Sequence, residues 1–351
     1  MFNLKNLKTM KNINSISKRV MITLFVLLLN VVSTKNTFAQ NQVAILQHND
    51  TLSAFYGPEA LSAAHTAASD GDIITLSSGN FNGCTLSKAV TIHGAGCVDD
   101  TESHLAPTRI PGTLKITKTD ATLPLTMEGV WFGTIQYAVS YTINRNVRFI
   151  KCNIDCLSPW SSNGSIGFYF VNCIIKDFSF YGNGLLIQNS VVRFSWYNQT
   201  DQNNMNIINN SVVCLNNDLN IGNSRGYNCI LATADNNGAP NSTFYNCVEI
   251  QTDSTNIFEG QLNESNMQVN SYDEVFETFA GTVEYNESYQ LKSDFASSFL
   301  GNDGTEVGIH GGLLPYNTRP SYMYIRTTNV AGQTNEDDKL SVEIELISSG
   351  N

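Results

Sequence analysis

Charged and aromatic side chains recur at similar spacing in the middle of the sequence, each time shortly after a cysteine or a serine. The three reference residues are Cys152, Cys173 and Ser190. A charge follows three residues later, and aromatic side chains follow within eight residues. The set comprises Asp155 and Trp160, then Lys176, Asp177 and Tyr181, then Arg193, Trp196 and Tyr197. Aromatic faces stack on pyranose rings while charged groups bond hydroxyls, so this pattern predicts a carbohydrate-binding surface.

Other roles stay open for the same residues. Lys176 and Arg193 could act as base and acid in the β-elimination of a uronide, as in some polysaccharide lyases. Asp155 and Asp177 could form a hydrolytic pair of carboxylates. The non-functional alternative is that the aromatic side chains pack on a turn or fill the core. We find no carboxylate cluster suited to Ca²⁺ and no Cys/His spacing suited to zinc, so we predict no metal and no other cofactor.

A short repeat must position these side chains. Its pattern is an apolar residue, any residue, Asn, then Cys or Ser, then two mostly apolar residues. The Cys or Ser positions are 17 to 22 residues apart, which fits a β-solenoid and does not fit a propeller blade of ~40 residues. The copies are Phe170–Ile175, Ile187–Val192, Ile208–Val213, Gly226–Leu231 and Phe244–Glu249, with weaker copies at Phe149–Ile154 and Met127–Phe132.

The asparagine of the repeat has a physical role in a solenoid, where coils stack at about 4.8 Å. Asn tolerates the left-handed backbone of a bend, and we expect its amide to bond the equivalent amide one coil away. The Cys or Ser beside it is small enough to point inward. Parallel Cβ vectors on neighbouring coils oppose disulfide geometry, so we predict four free thiols. These are Cys152, Cys173, Cys229 and Cys247.

The asparagine repeat resembles that of the right-handed parallel β-helix proteins of the pectin-lyase-like superfamily, over about residues 50–318. Further motifs agree with the cap helix, the first coils and the C-terminal end of such proteins, in secreted forms from the Bacteroidetes. The resemblance implies an all-β, right-handed parallel β-helix with an N-terminal cap helix and a binding groove along one outer face. It implies no single reaction, because the superfamily includes lyases, hydrolases, epimerases and adhesins. The further motifs are Pro58–Ala68, Gly71–Leu76, Gly79–Phe81, Lys88–Gly96 and Asp303–Gly312 followed by Pro315-Tyr316.

The N-terminus predicts export. Lys18-Arg19 precedes the apolar stretch Val20–Val32, and Thr37–Ala39 offers a cleavage site between small residues. The apolar stretch is shorter than the ~20 residues of a membrane span, so we expect no span in the mature chain. Residues 1–39 hold six basic residues and no acid, and their removal changes the formal charge from −11 to −17. Such a charge argues against nucleic acid as a partner and against capture of polyanionic glycans.

We therefore predict a signal peptide over residues 1–39, a β-helix with a cap helix over 40–318, and a small C-terminal β appendage over 319–351. Two strands are expected in the appendage, at Tyr322–Thr327 and Leu340–Leu346. The favoured function is carbohydrate recognition at the cell surface or in the periplasm, with a glycan as partner. The alternatives are a polysaccharide lyase or glycoside hydrolase, and a structural or adhesive surface protein. The oligomeric state stays open.

Overall fold

The computed structural model shows an all-β fold that coils into a right-handed parallel β-helix, as the repeat predicts. The predicted signal peptide lies outside the described residues. The described residues are 42–99, 106–117, 122–137, 145–159, 166–181, 184–198, 206–215, 221–233, 241–251, 265–319, 321, 324–330 and 342–347.

Twenty-four strands and three short helical segments make up the described fold. The strands are β1 (Val43–His48), β2 (Thr51–Tyr56), β3 (Ile73–Leu76), β4 (Gly79–Asn80), β5 (Thr85–Leu86), β6 (Thr91–His93), β7 (Thr108–Ile116), β8 (Leu125–Glu128), β9 (Val130–Tyr137), β10 (Arg145–Ile150), β11 (Asn153–Pro159), β12 (Ile166–Val171), β13 (Ile174–Tyr181), β14 (Leu186–Gln188), β15 (Val191–Asn198), β16 (Asn206–Asn209), β17 (Val212–Leu215), β18 (Ser224–Tyr227), β19 (Ile230–Thr233), β20 (Thr243–Tyr245), β21 (Val248–Gln251), β22 (Met267–Val269), β23 (Tyr324–Val330) and β24 (Val342–Ile347). The helical segments are α1 (Ala60–Ala67), a 3₁₀ turn (Tyr272–Glu274) and α2 (Ser293–Ser298).

Two long sheets form the described walls of the solenoid, and successive strands of the repeat region alternate between them. The first sheet has the order β2-β1-β3-β6-β8-β10-β12-β14-β16-β18-β20. The second has the order β22-β21-β19-β17-β15-β13-β11-β9-β7-β4, with β5 also on β7. An antiparallel hairpin, β1–β2, begins the first sheet, and β1 also pairs antiparallel with β3. The remaining described pairings in both sheets are parallel. Each coil therefore places equivalent side chains in columns along the axis.

The solenoid interior is filled by such columns of like side chains. The rings of Phe149 and Phe170, on neighbouring coils, stack with centroids 5.4 Å apart and planes at 15°. On the second sheet, Phe178 and Phe194 stack at 5.2 Å and 27°. All four rings are fully buried. Because pleated strands alternate their side chains, the next residue on each strand points away from this core.

The asparagines of the repeat form the predicted column of left-handed bends between the two sheets. Their φ angles lie between 45° and 56°, where an L residue with a large side chain is strained and Asn is tolerated. Lys151 and Gly129 continue the column with φ of 52° and 67°. The prediction that Asn turns the chain at this corner is confirmed. The asparagines are Asn172, Asn189, Asn210, Asn228 and Asn246.

A closing segment, residues 270–319 and Ser321, runs back along the outside of the second sheet. It contains the 3₁₀ turn and α2, and it covers an apolar outer face that the later coils present. The covered side chains are Ile174, Val191, Val212, Ile230, Val248 and Ile250. The covering side chains are Val275, Phe276, Phe279, Val283, Tyr289, Leu291, Phe295, Phe299, Val307 and Ile309.

Three side-chain amides of the asparagine column, those of Asn189, Asn228 and Asn246, bond the closing segment, and this corrects the expected amide-to-amide ladder. Asn189 Nδ2 donates to the carbonyls of Ile309 and Gly311 at 3.0 and 2.7 Å. Asn228 Nδ2 donates to Asn302 Oδ1 at 3.0 Å, and the Asn302 amide returns a bond of 2.9 Å. The closing segment passes over the corner and supplies backbone partners, so within the described residues no hydrogen bond joins two amides of this column.

Lys151 takes the asparagine position in an early coil and holds the far end of the closing segment. Its Nζ donates to the Arg319 carbonyl at 2.6 Å, and Glu128, on the preceding coil, accepts from the Ser321 amide at 2.8 Å. Burial alone would raise the pKa of Glu128, but hydrogen bonds from His93 and Ser321 lower it below its ordinary value. The carboxylate therefore stays ionised and anchors the chain.

The cysteines and serines beside the bends point inward, as predicted. The Cys173 thiol donates to the Phe149 carbonyl at 3.3 Å, and the Cys229 thiol donates to the Ile208 carbonyl at 3.1 Å. Burial raises the pKa of Cys247 well above its ordinary value, so its thiol stays protonated and unreactive. The four cysteines expected to be free thiols are free, and all four are fully buried.

A second column of bends was not recognised from the sequence. Asn223 and Asn241 have φ of 50° and 56°, and the serine after each is buried. The Ser224 amide donates to Ser242 Oγ at 2.9 Å, one coil along. A signal was available, because the Asn-Ser pair recurs with the same 18-residue step that separates Asn228 from Asn246.

The helices are few and short. Helix α1 was predicted over 58–68 and spans Ala60–Ala67, with Leu61 packed against the end of the core. Lys88 Nζ donates to the carbonyls of His65, Thr66 and Ala68, which lie at the helix C-terminus and lack intrahelical partners. In the described part of the chain, no helix is both long and apolar enough to cross a membrane.

The C-terminal appendage is an antiparallel hairpin of β23 and β24, with Tyr324 opposite Ile347. The two strands overlap those expected at 322–327 and 340–346. Alternating apolar residues with an acidic turn between them are typical of such a hairpin.

Asn189 offers a test of the left-handed corner. Replacing Asn189 with Ala puts a residue that disfavours the left-handed backbone at φ 45°, and it also removes two buried hydrogen bonds of the side-chain amide. We expect the free energy of unfolding to fall by about 2–4 kcal/mol. The matched variant Asn189→Gly loses the bonds but tolerates the backbone, so it should be more stable than the Ala variant by about 1 kcal/mol. Urea unfolding followed by circular dichroism measures both. Equal stability of the two variants would contradict the role assigned to the bend.

His65 predicts a pH dependence of stability. Its Nε2 accepts from the amides of Ser87 and Lys88, and burial, then the charge of Lys88, lowers its pKa to about 4 from 6.5. The unfolded chain binds the proton first, so stability is full above pH 6.5 and falls as the pH drops toward 4. As the pH is lowered from 6.5 to 4, the melting temperature of His65→Gln should fall less steeply than that of the wild type. Parallel falls of the two melting temperatures would refute this role of His65.

Candidate functional site

A cleft of about 580 Å³ lies between the outer face of the second sheet and the closing segment. The sheet supplies one wall through side chains of β7, β9, β11 and β13, and the closing segment supplies the other. The volume is in the range of small-molecule binding sites. The lining residues are Cys97, Val98, Asp99, Arg109, Trp131, Asn153, Asp155, Lys176, Tyr285, Asn286, Tyr316 and Thr318.

Strand register creates this cleft. Arg109, Trp131 and Asn153 are aligned on β7, β9 and β11 and form one outward column. In the next coils the same column continues as Ile174 and Val191, which the closing segment buries. The cleft therefore opens where the outward column changes from aliphatic to polar and aromatic.

Four side chains form a charged network that joins the sheet wall to the closing segment. The Tyr285 hydroxyl donates to Asp155 Oδ1 at 2.7 Å. Lys176 Nζ pairs with Glu284 Oε2 at 2.5 Å and lies 4.2 Å from the centroid of the Tyr285 ring, a cation–π contact. Burial, and next the Asp155 bond, raises the pKa of Tyr285 far above its ordinary value, so the hydroxyl remains a donor.

Trp131 is the aromatic platform of the cleft and is partly exposed. The Arg109 guanidinium lies over its ring at 5.7 Å and also bonds Asp99 Oδ2 at 3.0 Å. The stack fixes the orientation of the indole, and the ion pair neutralises the guanidinium. The cleft thus presents an aromatic surface flanked by charges that already have partners.

Two buried oxygen atoms of the cleft lining have no hydrogen-bond partner among the residues that the structure describes. Asn153 is 1% exposed, its Nδ2 donates to the Cys97 carbonyl at 3.1 Å, and its Oδ1 accepts no hydrogen bond. The Tyr316 hydroxyl is buried and also unpaired, although the residue is partly exposed. Burial raises the pKa of Tyr316 well above its ordinary value. One acceptor and one hydroxyl therefore remain free in the lining.

The structure brings part of the predicted residue set to this cleft. Asp155 and Lys176 line it. Arg193 and Asp177 are not among its lining residues: Arg193 Nε donates to the Lys176 carbonyl at 2.7 Å, and Asp177 accepts from the Ser195 hydroxyl. Trp160 lies outside the described residues, and so do the side chains of Tyr181, Trp196 and Tyr197.

Sequence reasoning missed the residues that give the cleft its aromatic character. Trp131 and Asn153 directly follow the Cys or Ser position of the repeat, where later copies carry Ile or Val, and this change was a usable signal. Tyr316 belongs to the C-terminal motif but was not linked to the repeat. Tyr285 has no local signal, because only the path of the closing segment brings it to Asp155.

The charged side chains that line the cleft have partners among the described residues. Its two carboxylates, Asp99 and Asp155, are engaged by Arg109 and Tyr285. Lys176, the base considered for elimination, is held by an acidic partner. Among the described residues no group of three or more His, Cys, Asp or Glu could hold a metal ion.

The amino-acid sequence was compared with protein families and with characterised proteins, and the fold with solved structures, and none of the three comparisons finds a match. The class of the molecule therefore comes from its own geometry: it is a parallel β-solenoid with a cleft on one outer face.

Tyr285 offers a test of the charged network. Replacing Tyr285 with Phe removes the donor to an ionised, partly buried carboxylate, and we expect a loss of about 1.5–3 kcal/mol in the free energy of unfolding. The control is Tyr56→Phe, because Tyr56 is 70% exposed on the N-terminal hairpin, and its stability should match the wild type. Thermal melting distinguishes them, and an unchanged Tyr285→Phe protein would show that the bond contributes nothing.

Proposed function

We propose that this chain binds a neutral carbohydrate in the cleft and does not cleave it. The observation that supports this most directly is the partly exposed Trp131 ring, which faces a cleft of about 580 Å³ among paired charges. An indole face stacks on the C–H face of a pyranose, and flanking carboxylate and guanidinium groups bond its hydroxyls. The cleft combines both kinds of contact.

Charge favours a neutral glycan over an acidic one. The two cations of the lining, Arg109 and Lys176, each pair with a carboxylate, so neither offers a free positive charge to a uronate. The whole chain carries a formal charge of −11, which repels polyanions at longer range. A neutral sugar needs no compensating charge, and it can still accept bonds from the remaining guanidinium and ammonium donors.

Binding is favoured over catalysis because the charged groups of the cleft have structural partners. A glycosidase needs one carboxyl group to donate a proton and another to attack or to activate water. Here Asp155 accepts a hydrogen bond from the Tyr285 hydroxyl and Asp99 forms an ion pair with Arg109, so both carboxylates already have a partner. A lyase or hydrolase therefore ranks second, and an adhesive protein without a small ligand ranks third.

The setting of this function is part of the proposal and rests on the sequence. The Lys18-Arg19 pair, the apolar stretch and the small residues at 37–39 support export to the periplasm, the outer surface or the medium. The asparagine repeat and the C-terminal motif support a relation to secreted, pectin-lyase-like proteins of the Bacteroidetes.

Replacing Trp131 with Ala tests the proposal. Wild-type protein is passed over immobilised neutral polysaccharides (glucans, mannans, galactans and xylans), and the retained class is then measured by calorimetry. Loss of the indole should weaken binding tenfold or more, the effect of losing about 1.4 kcal/mol from an aromatic anchor.

The control is Tyr245→Ala, an exposed aromatic residue (41%) on the outward face of the first sheet, which should bind as the wild type does. The same incubations are assayed for new reducing ends and for unsaturated products. Non-catalytic binding in this cleft would be refuted if Trp131→Ala were retained on the polysaccharide as well as the wild type is. It would also be refuted if new reducing ends or unsaturated products were released.

A further inference from the structure

The two unpaired oxygens of the cleft lining are the feature that the proposed function leaves unused. A buried polar atom without a partner costs about 1–3 kcal/mol, so its persistence calls for a ligand or water that completes it. The orientation of the Asn153 amide is fixed, because the Cys97 carbonyl can only accept and must face Nδ2. Oδ1 is therefore the atom left over.

The two atoms have complementary requirements. Asn153 Oδ1 can only accept a hydrogen bond, whereas the Tyr316 hydroxyl, kept protonated by burial, can donate one. A hydroxyl group donates one bond and accepts others, so a single hydroxyl could satisfy both atoms. An ammonium would leave Tyr316 without an acceptor, and a carboxylate would oppose Asn153.

We propose that one hydroxyl of the bound sugar lies between Asn153 and Tyr316, which makes Tyr316 the residue that distinguishes a hydroxylated sugar from its deoxy analogue. This inference rests on the proposed carbohydrate binding and adds to it a chemical group that the cleft selects. Selection is strong at such a position, because an analogue that lacks the hydroxyl leaves two buried polar atoms unpaired.

Access to these atoms depends on Tyr316. Neither oxygen contacts solvent in the free protein, and Asn153 is fixed in the register of the second sheet. Tyr316 is partly exposed and packs against the buried cluster under the closing segment, next to the exposed residues Leu313 and Leu314 (98% and 53%). Binding in the proposed manner therefore requires an outward rotation of the Tyr316 side chain.

The first experiment compares the stability of Tyr316→Phe with that of Tyr289→Phe. The Tyr316 hydroxyl has no partner, so its removal should leave the melting temperature unchanged or raise it. The Tyr289 hydroxyl donates to the Glu284 carbonyl at 2.8 Å and accepts from the Glu284 amide at 3.0 Å, so its removal should lower the melting temperature. A drop for Tyr316→Phe equal to that for Tyr289→Phe would overturn the inference, because the hydroxyl would then be engaged within the protein.

The second experiment measures calorimetric affinity for the neutral oligosaccharide that the wild type binds most tightly and for each of its monodeoxy analogues. The Tyr316→Phe variant should bind the parent oligosaccharide about five- to tenfold more weakly than the wild type does. For the one analogue that lacks the recognised hydroxyl, the variant and the wild type should have the same affinity. The inference would be refuted if Tyr316→Phe bound the parent with unchanged affinity, or if it lost the same affinity for the parent and for every analogue. In either case, weaker binding by the Trp131→Ala variant would still uphold carbohydrate binding. Absence of any binding by the wild type would refute both.

Discussion

Every coil of this solenoid depends on one backbone constraint, the left-handed turn between the first and the second sheet. The chain must turn from one sheet into the other within two residues, while the strands on either side remain in register with those of the neighbouring coils. Asn meets this constraint in five coils, and Lys151 and Gly129 meet it in two earlier ones. Because the turn is the same in each coil, the residues after it fall into columns, and the inward thiols and the outward face follow from that alignment.

The same turn also determines where the closing segment lies. Amides at the corner point outward and need partners. Backbone carbonyls of the closing segment supply them at Asn189 and Asn246, and the Asn302 side chain supplies one at Asn228. The rest of the closing segment then covers the aliphatic outer face of the later coils. Where the outward column becomes Arg109, Trp131 and Asn153, that cover gives way to the cleft.

The chemistry of the cleft follows from which of its groups are already satisfied. Its cations are paired with carboxylates and its best-placed tyrosine donates to Asp155, so these groups define shape and polarity without leaving a free base or acid. The indole of Trp131 and the unpaired oxygens of Asn153 and Tyr316 remain available to a ligand. A neutral, hydroxylated ring meets both requirements.

Much of the fold was encoded locally. The motif Pro58–Ala68 predicted the cap helix. The Asn-Cys and Asn-Ser pairs, at steps of 17 to 21 residues, predicted the solenoid, the position of its bends and the inward thiols, because a residue in a left-handed bend is chosen for its own backbone and not for its distant neighbours. The same periodicity placed Asp155 and Lys176 on one outward face. Only the tertiary structure decided the hydrogen-bond partners of the amides and the wall that completes the cleft, since Tyr285 meets Asp155 across 130 residues. Contacts of that kind depend on the path of the closing segment over the finished solenoid, and no local pattern in its sequence specifies that path.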